Sequence, residues 1–252
     1  GPPWSCGYDD HSLPPVRGSG NQGYHTGCHF AVMSALTALL HRGVTGTGQF
    51  IDVSMLDSVL TTMGWVVSNH LIGGVEPAKY GNENVTSAPS GSFRTSAGLL
   101  NIAANEERQW RILISHLGCE HLADDDRFRT RDDRKAHRTE LTGELEVHLA
   151  SKSATQWEEE LTGLGVPVGV VMSVPDILAD EHTRHRGLIA DFEDVDGAGR
   201  DISVVRTGFR TDGKPMKVAA PPPVLGQDNE HLLHELGYDK VAIERLRTEG
   251  VI

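Results

Sequence analysis

The feature that most constrains the fold of this chain is residues 28–41, CHFAVMSALTALLH, which are apolar around most of a helical circumference. A helix of that composition is stable only when other parts of a protein cover it on most sides. Arg42 and Gly43 follow directly, and a cation and a glycine at this point predict that the helix ends there. The sequence therefore predicts a helix buried in a core, with Cys28 as part of that core.

A glycine-rich polar segment, residues 18–27, leads directly into this helix. Glycines let a backbone approach a ligand closely, and the helix N-terminus adds free N–H groups and a positive dipole end. An acyl carbonyl or a carboxylate would match these groups. Spacing alone supports a ligand-binding loop and an ordinary tight loop equally. The polar side chains that would face a ligand are those of Asn21, Gln22, His25 and Thr26.

The segments that follow predict an α/β arrangement. Residues 50–53, which combine β-branched and apolar side chains, predict a buried strand. Ser54 then caps a helix that runs to about Leu71, with Asp57 completing a weak capping box. Residues 73–92 are rich in Gly, Pro, Asn and Ser, and a loop of that length usually separates domains or carries function.

The rest of the chain predicts a mixture of helices and hairpins. Residues 93–104 predict a β-hairpin that turns at 96–98. Leu141, Leu145 and Leu149 recur every four residues, which predicts the core face of a helix. Further predicted elements are helices after Asn105 and Ser153, an apolar strand within 166–174, a helix opened by Pro175, a hairpin around 196–197 and two terminal helices. We therefore predict an α/β fold with an α+β middle part.

Composition bears on the compartment and on the classes of partner. The net charge is −12, and an acidic chain is repelled by nucleic acid and by anionic membranes, so neither is an expected partner. The three cysteines include no C-x-x-C pair, which favours a reducing cytoplasm over a disulfide framework. Neither a signal peptide nor a run of roughly 20 apolar residues is visible. The expected protein is soluble and cytoplasmic.

Local motifs for metal binding and nucleophilic catalysis are not found. Two histidine pairs, at 182–185 and 231–234, lack the H-E-x-x-H pattern and a cysteine cluster, so no metal is predicted. The sequence contains no G-x-S-x-G elbow and no Walker A loop. Residues 127–138 are basic but interleaved with acidic residues, which predicts a solvated helix start.

The ordered set of motifs resembles the class III CoA-transferase family, also called CaiB/BaiF. The matching runs are HTGCHFAVMSALTALLHRGVTGTGQFIDVSMLDSVL, FRTSAGLLNIAANEERQW, LADDDRF, GVPVGVVMSVPDILADEHTRHRGL and PPPVLGQDNEHLLHELGY. Each run is weak alone, but together they cover essentially all 252 residues in order. The resemblance implies an acyl-CoA:carboxylate CoA-transferase that uses CoA and acyl-CoA as substrates, with no permanently bound cofactor.

The resemblance also implies the architecture. Proteins of the family have a Rossmann-like large domain and a smaller α+β domain, and two of their chains interlock. This chain matches only a part of the large domain. The family's N-terminal half, which contacts most of the CoA nucleotide, has no counterpart in these 252 residues. The implied domains are the later part of the large domain at 1–75, a linker at 76–92, the small domain at 93–190 and a return to the large domain at 191–252. We expect a tight oligomer, either with a second chain that supplies the N-terminal half or with a second copy.

No aspartate of this chain stands at the position of the family's catalytic aspartate. In the family an aspartate attacks the acyl-CoA, which gives a mixed anhydride and then an enzyme–CoA thioester. Its position falls on Gly23 or Tyr24, or on Asn21 with a two-residue shift, and the nearest aspartate is Asp10. The implied substrate loop therefore consists of Asn21, Gln22, Gly23, His25 and Thr26 without a nucleophile.

A second loop is implied at residues 82–93, where the family has an active-site cover loop, with Asn84, Ser90 and Gly91 as its candidate residues. Three functions stay open on this basis. The first is a CoA-transferase completed by a second polypeptide, and the second is a non-catalytic subunit of a hetero-oligomeric CoA-transferase. The third is a 2-methylacyl-CoA racemase-like enzyme, a related branch that abstracts an α-proton with a His/Asp pair.

Overall fold

A computed structural model describes residues 22–78, 81, 83–195 and 197–252 of the chain. The chain divides into two compact units, Gly1–Val171 and Met172–Ile252. The domain boundaries predicted at 76–92 and near 190 do not coincide with this division, and they stay predictions. Across the described residues, no helix combines the length and the apolar character that crossing a membrane requires.

The first three helices of the described residues in the first unit are α1 at Gln22–Thr45, α2 at Met55–Thr62 and α3 at Trp65–Gly73. The predicted Ser54 cap is confirmed, since its side chain accepts a hydrogen bond from the backbone N–H of Asp57, but the full capping box is not formed. The single helix predicted to run to about Leu71 is wrong: the chain turns between α2 and α3, where Gly64 has a φ of +52°. Helix α1 begins six residues earlier than predicted. Gly27 is buried in it, and a Cβ at Gly27 would lie 3.4 Å from Cγ of Met55, so this glycine allows α1 and α2 to pack closely.

The predicted burial of α1 is wrong for the chain as described. Leu36 and Leu40 are 57% and 75% exposed, and Cys28 is exposed as well. The strand predicted at 50–53 is also wrong, because these residues have no regular structure and Phe50 is 96% exposed. A strand exists only where another strand takes up its backbone hydrogen bonds. No described strand pairs with residues 50–53.

A three-stranded antiparallel sheet lies in the second half of this unit, in the order β1 (Ser90–Arg94), β2 (Leu99–Ala103), β3 (Val168–Val170). The predicted hairpin is confirmed: β1 pairs with β2 across a turn in which Gly98 has a φ of +83°. Because β2 is central, one edge of β1 faces away from the sheet.

Four helices and a short 3-10 helix complete the unit: α4 (Glu107–Leu117), the 3-10 helix (Glu120–Ala123), α5 (Arg131–Ala136), α6 (Arg138–Leu149) and α7 (Ala154–Gly163). The leucine spacing on α6 is confirmed as a core face. Each fully buried leucine stabilises the unit by roughly 1.5–3 kcal/mol. The core is formed by Leu100, Ile102, Trp110, Leu113, Leu141, Leu145, Leu149, Trp157 and Leu161, among others.

The described residues of the second unit form four short helices and two small hairpins. They are α8 (Val174–Ala179), α9 (Glu181–His185), β4 (Ile189–Val195), β5 (Arg200–Val205), β6 (Arg210–Thr211), β7 (Lys214–Pro215), α10 (Asn229–Glu235) and α11 (Lys240–Thr248). Ser173 caps α8, so the helix predicted to open at Pro175 begins one residue earlier. It also stops at Asp180, whose carboxylate caps α9. The predicted β4–β5 hairpin is confirmed.

Cys119 provides a test of the core of the first unit. Burial, with smaller contributions from Glu120 and Glu144, raises the pKa of its thiol to about 11. The thiolate is the reactive form, so native Cys119 should react with iodoacetamide at least about 100-fold more slowly than the unfolded chain does. Peptide mapping by mass spectrometry measures both rates. Equal alkylation rates of Cys119 in native and denatured protein would show that solvent reaches this thiol in the folded chain.

Candidate functional site

A cleft of about 410 Å³ lies in the first unit, between the free edge of β1 and helix α6. Ser90, Gly91 and Ser92 line it from β1. Arg138, Thr142 and Glu146 line it from α6, and Glu83 and Arg94 are also part of its wall. The cleft therefore combines hydroxyl groups with charges of both signs.

The hydrogen-bond pattern of the hairpin explains why backbone groups face this cleft. Pro89 O accepts from the Ala104 N–H at 3.1 Å, and the Thr95 N–H donates to Gly98 O at 3.2 Å. In an antiparallel pair the hydrogen-bonded positions alternate, so residues 89, 91, 93 and 95 bond to β2, and the backbone N–H and C=O of Ser92 point away from it. These two groups lie at the free edge of β1, which lines the cleft.

Two of the three cover-loop candidates, Ser90 and Gly91, line this cleft, and Asn84 is hydrogen-bonded to Ser90. The backbone N–H of Asn84 donates to Ser90 O at 3.0 Å, and Gly91 lies beside Ser90 in the lining. Asn84 Oδ1 accepts from both the backbone N–H and the hydroxyl of Thr86, each at 2.8 Å. We call residues 83–88 the cover segment. The role of Asn84, Ser90 and Gly91 in covering a substrate stays a prediction.

Arg138, the first residue of α6, connects that helix to the cover segment. Its Nη1 donates to Ser87 O at 3.1 Å and its Nη2 to Val85 O at 3.3 Å. Its Nε lies 3.9 Å from a carboxylate oxygen of Glu83. The side chain is 13% exposed and lines the cleft. One guanidinium group thus contacts three positions of the cover segment.

Arg134, which lies on α5 four residues before Arg138, is more deeply buried, with 2% of its side chain exposed. Its Nε donates to Ala88 O at 3.0 Å, its Nη1 to Phe128 O at 3.0 Å and its Nη2 to Glu107 Oε2 at 2.8 Å. The guanidinium carbon lies 4.8 Å from the centre of the Trp110 ring, a cation–π contact. Every nitrogen group of this side chain has a partner in a largely apolar core.

The pKa of the Glu107 carboxyl reflects this pairing. Partial burial alone would raise its pKa, but the hydrogen bond and charge of Arg134, together with those of Arg111, lower it below the usual 4.5. Glu107 is therefore ionised at neutral pH and balances the charge of the buried Arg134.

Sequence reasoning missed both arginines, because it predicted residues 127–138 to be a solvated helix start. That prediction is wrong for Arg134, which is buried, and for Arg138, which is mostly buried. A signal was present in the sequence: Arg134, Arg138, Leu141 and Leu145 follow at intervals of four, three and four residues, which is the spacing of one face of a helix.

The described residues of the predicted substrate loop lie away from the cleft, in the first turns of α1. Asn21 and Asp10 lie outside the described residues, whereas Gln22, Gly23, Tyr24, His25 and Thr26 are helical. The prediction of a loop is therefore wrong for the described part of the segment. The side chain of Thr26 donates to the backbone oxygen of Gln22 at 2.7 Å, which is a helix contact. None of these five residues lines the cleft.

The candidate position of a nucleophile holds no carboxylate, since Gly23 and Tyr24 occupy it. A Cβ at Gly23 would lie 3.8 Å from Cγ2 of Val59 on α2, which is ordinary van der Waals distance. Within the described ranges, no three histidine, cysteine, aspartate or glutamate side chains are arranged to hold a metal ion.

Comparisons with known proteins identify relatives across most of the chain. The sequence profile described as "CoA-transferase family III" matches residues 4–229. The mouse protein "Succinyl-CoA:glutarate CoA-transferase" is 34% identical over 224 residues, which cover 88% of this chain and 51% of the relative. The "Succinate--glutarate CoA-transferase" of Agrobacterium fabrum is 31% identical over 212 residues, 82% of this chain and 51% of the relative.

A solved structure shows the same fold. The crystal structure of a CaiB/BaiF family protein from Brucella suis superimposes with a TM-score of 0.76 at 28% identity, over 92% of this chain and 60% of that chain. The predicted mixed α/β fold of this family is thereby confirmed. The chain spans about half the length of the curated relatives it matches.

Proposed function

The chain belongs to CoA-transferase family III, and we propose on this basis that it forms part of an enzyme that moves CoA from an acyl-CoA to a carboxylic acid. The observation that carries the proposal is the similarity over 88% of the chain to a protein named as a succinyl-CoA:glutarate CoA-transferase. The cleft at the cover segment supports it, because the hydroxyl groups of Ser90 and Ser92 and the guanidinium group of Arg94 in its wall are donors that suit a carboxylate or an acyl carbonyl.

The reaction exchanges one thioester for another. A carboxylate attacks the thioester carbon and CoA thiolate leaves, so that a mixed anhydride forms. The thiolate then attacks the other carbonyl of the anhydride, which releases the first acid and leaves CoA on the enzyme carboxylate. The acceptor acid receives CoA by the reverse sequence. Water would hydrolyse each intermediate, and the cover segment of this chain is suited to exclude it.

The nucleophilic carboxylate and most of the CoA contacts are proposed to come from outside the described residues. Gly23 and Tyr24 supply no carboxylate, and helices α1 to α3 carry an apolar surface that includes Leu36, Leu40 and Leu71. Apolar surfaces of this extent are usually covered by protein. We propose that a second polypeptide, or a second copy interlocked with the first, covers this surface and completes the site.

The first test is a transfer assay with succinyl-CoA as donor and glutarate, mesaconate or D-citramalate as acceptor. Product thioesters are measured by mass spectrometry for two samples. One is the chain alone, and the other is the chain with a polypeptide that corresponds to the part of its relatives that this chain does not match. We expect a new acyl-CoA with the completed assembly and none without donor. The absence of every product thioester in both samples would count against the proposal.

A non-catalytic subunit is the second candidate, and the missing carboxylate at Gly23 favours it. In the assembly, the substitution Gly23→Asp places a carboxylate at the family position, and Gly23→Asn provides an amide of matched size. A gain of transfer with aspartate alone would support a catalytic site in this chain. No gain, with continued co-purification of the partner, would support the subunit.

A further inference from the structure

The cover segment is held to the fold by two arginines that differ in burial. Arg134 has partners for all of its nitrogens, stacks on Trp110 and is almost fully buried. Arg138 is more exposed, and its two hydrogen bonds, at 3.1 and 3.3 Å, both go to backbone oxygens of the cover segment. The first arginine is therefore part of the core, whereas the second connects the core to the segment.

Burial divides the segment between Thr86 and Ser87. Ser87 and Ala88 are both buried, and the carbonyl oxygen of Ala88 is held by Arg134. Ser87 also donates a long 3.4 Å bond from its Oγ to Asn105 O. Residues 83–86 are half-buried or exposed, and Arg138 and the Asn84 N–H bond to Ser90 O join them to the rest of the unit. The Asn84–Thr86 hydrogen bonds lie within the segment and shape it without attaching it.

We propose that Arg138 is the positioning residue that keeps residues 83–86 against the cleft, while burial of Ser87 and Ala88 and the bond from Arg134 fix the end of the segment. A hydrogen bond from a charged donor is stronger than a neutral one, and one guanidinium group can satisfy two carbonyl oxygens at once. Losing Arg138 therefore frees the segment from Glu83 to Thr86 and leaves the sheet and Ala88 in place. This inference goes beyond the proposed function and does not depend on it, because the position of the segment can be measured without substrate.

Amide hydrogen exchange on the full chain tests the assignment, because it reports local opening residue by residue. The informative amide is that of Asn84, because its hydrogen bond to Ser90 O joins the segment to β1. We expect Arg138→Met to accelerate the exchange of this amide by about tenfold or more, with Leu100 in the sheet unchanged. Arg138→Lys keeps the charge but lacks the paired guanidinium nitrogens that bond two carbonyl oxygens. It should therefore restore part of the protection of the Asn84 amide from exchange.

Arg131→Met is the matched control, since Arg131 is an exposed arginine in the first turn of α5 and should leave both amides unchanged. Unchanged exchange at Asn84 in Arg138→Met would overturn the proposal. Equal acceleration at Leu100 would overturn it as well, because Arg138 would then stabilise the whole unit instead of positioning the segment. If Arg138→Met does not fold, Arg138→Gln, which keeps one amide donor, is measured against the same two outcomes.

Discussion

Replacing Arg134 by methionine is expected to lower the free energy of unfolding of the first unit by roughly 2–5 kcal/mol. The substitution removes the donors to two buried carbonyl oxygens, those of Ala88 and Phe128, and leaves them without partners. Each buried unsatisfied carbonyl costs about 1–3 kcal/mol. Methionine fills a similar volume beside Trp110, so packing alone does not account for the loss.

Urea unfolding followed by tryptophan fluorescence measures this effect, since Trp110 and Trp157 both lie in the core of the unit. Arg131→Met removes the same charge from the same helix and should change the free energy of unfolding by less than about 0.5 kcal/mol. A change for Arg134→Met as small as that of the control would show that Arg134 is not a structural anchor.

Replacing Leu36 and Leu40 together by glutamate is expected to turn the assembled protein into separate chains. The two side chains are one turn apart on α1 and more than half exposed in the described chain. Burial of each leucine in an interface contributes roughly 1.5–3 kcal/mol, so the dissociation constant should rise by at least about 100-fold. Light scattering at micromolar concentration measures the mass of the wild type and the variant.

Cys28 on the same helix gives an independent signal, because covering α1 should slow its alkylation and the double variant should restore it. Val147→Glu is the control, since Val147 is equally exposed but lies on α6, and it should leave the mass unchanged. A wild-type protein that is a stable monomer at micromolar concentration, with freely reactive Cys28, would contradict the proposed covering of α1 to α3.

The elements that sequence predicts well here are the ones that local chemistry decides. Ser54 and Asp57 lie three residues apart and form the cap of α2, and no distant residue is needed for it. The turn at 96–98 and the leucine face of α6 likewise depend on neighbours along the chain. Because their causes lie within a few residues, the sequence alone specifies them.

The predictions that are wrong depend on residues far away in the chain or outside it. Residues 50–53 have the composition of a strand but no described partner strand. The first turns of α1 are helical although their sequence is as rich in glycine and polar residues as that of a loop. Gly27 in these turns packs against Met55, and a local sequence pattern does not reveal that contact. Arg134 is buried because Ala88, Phe128 and Glu107 accept its hydrogen bonds, and counting charges along 127–138 cannot identify those partners.

The central claim, that this chain helps to move CoA between acids, is tested most directly by isotope exchange. A pool of acyl-CoA thioesters is incubated with the matching carbon-13-labelled free acids, and the mass of each thioester is followed, for the chain alone and for the completed assembly. The account predicts that label enters at least one thioester in the assembly, because each acid can displace its own unlabelled form from CoA. Thioesters that stay unlabelled in both samples, although the assembly has formed, would contradict it.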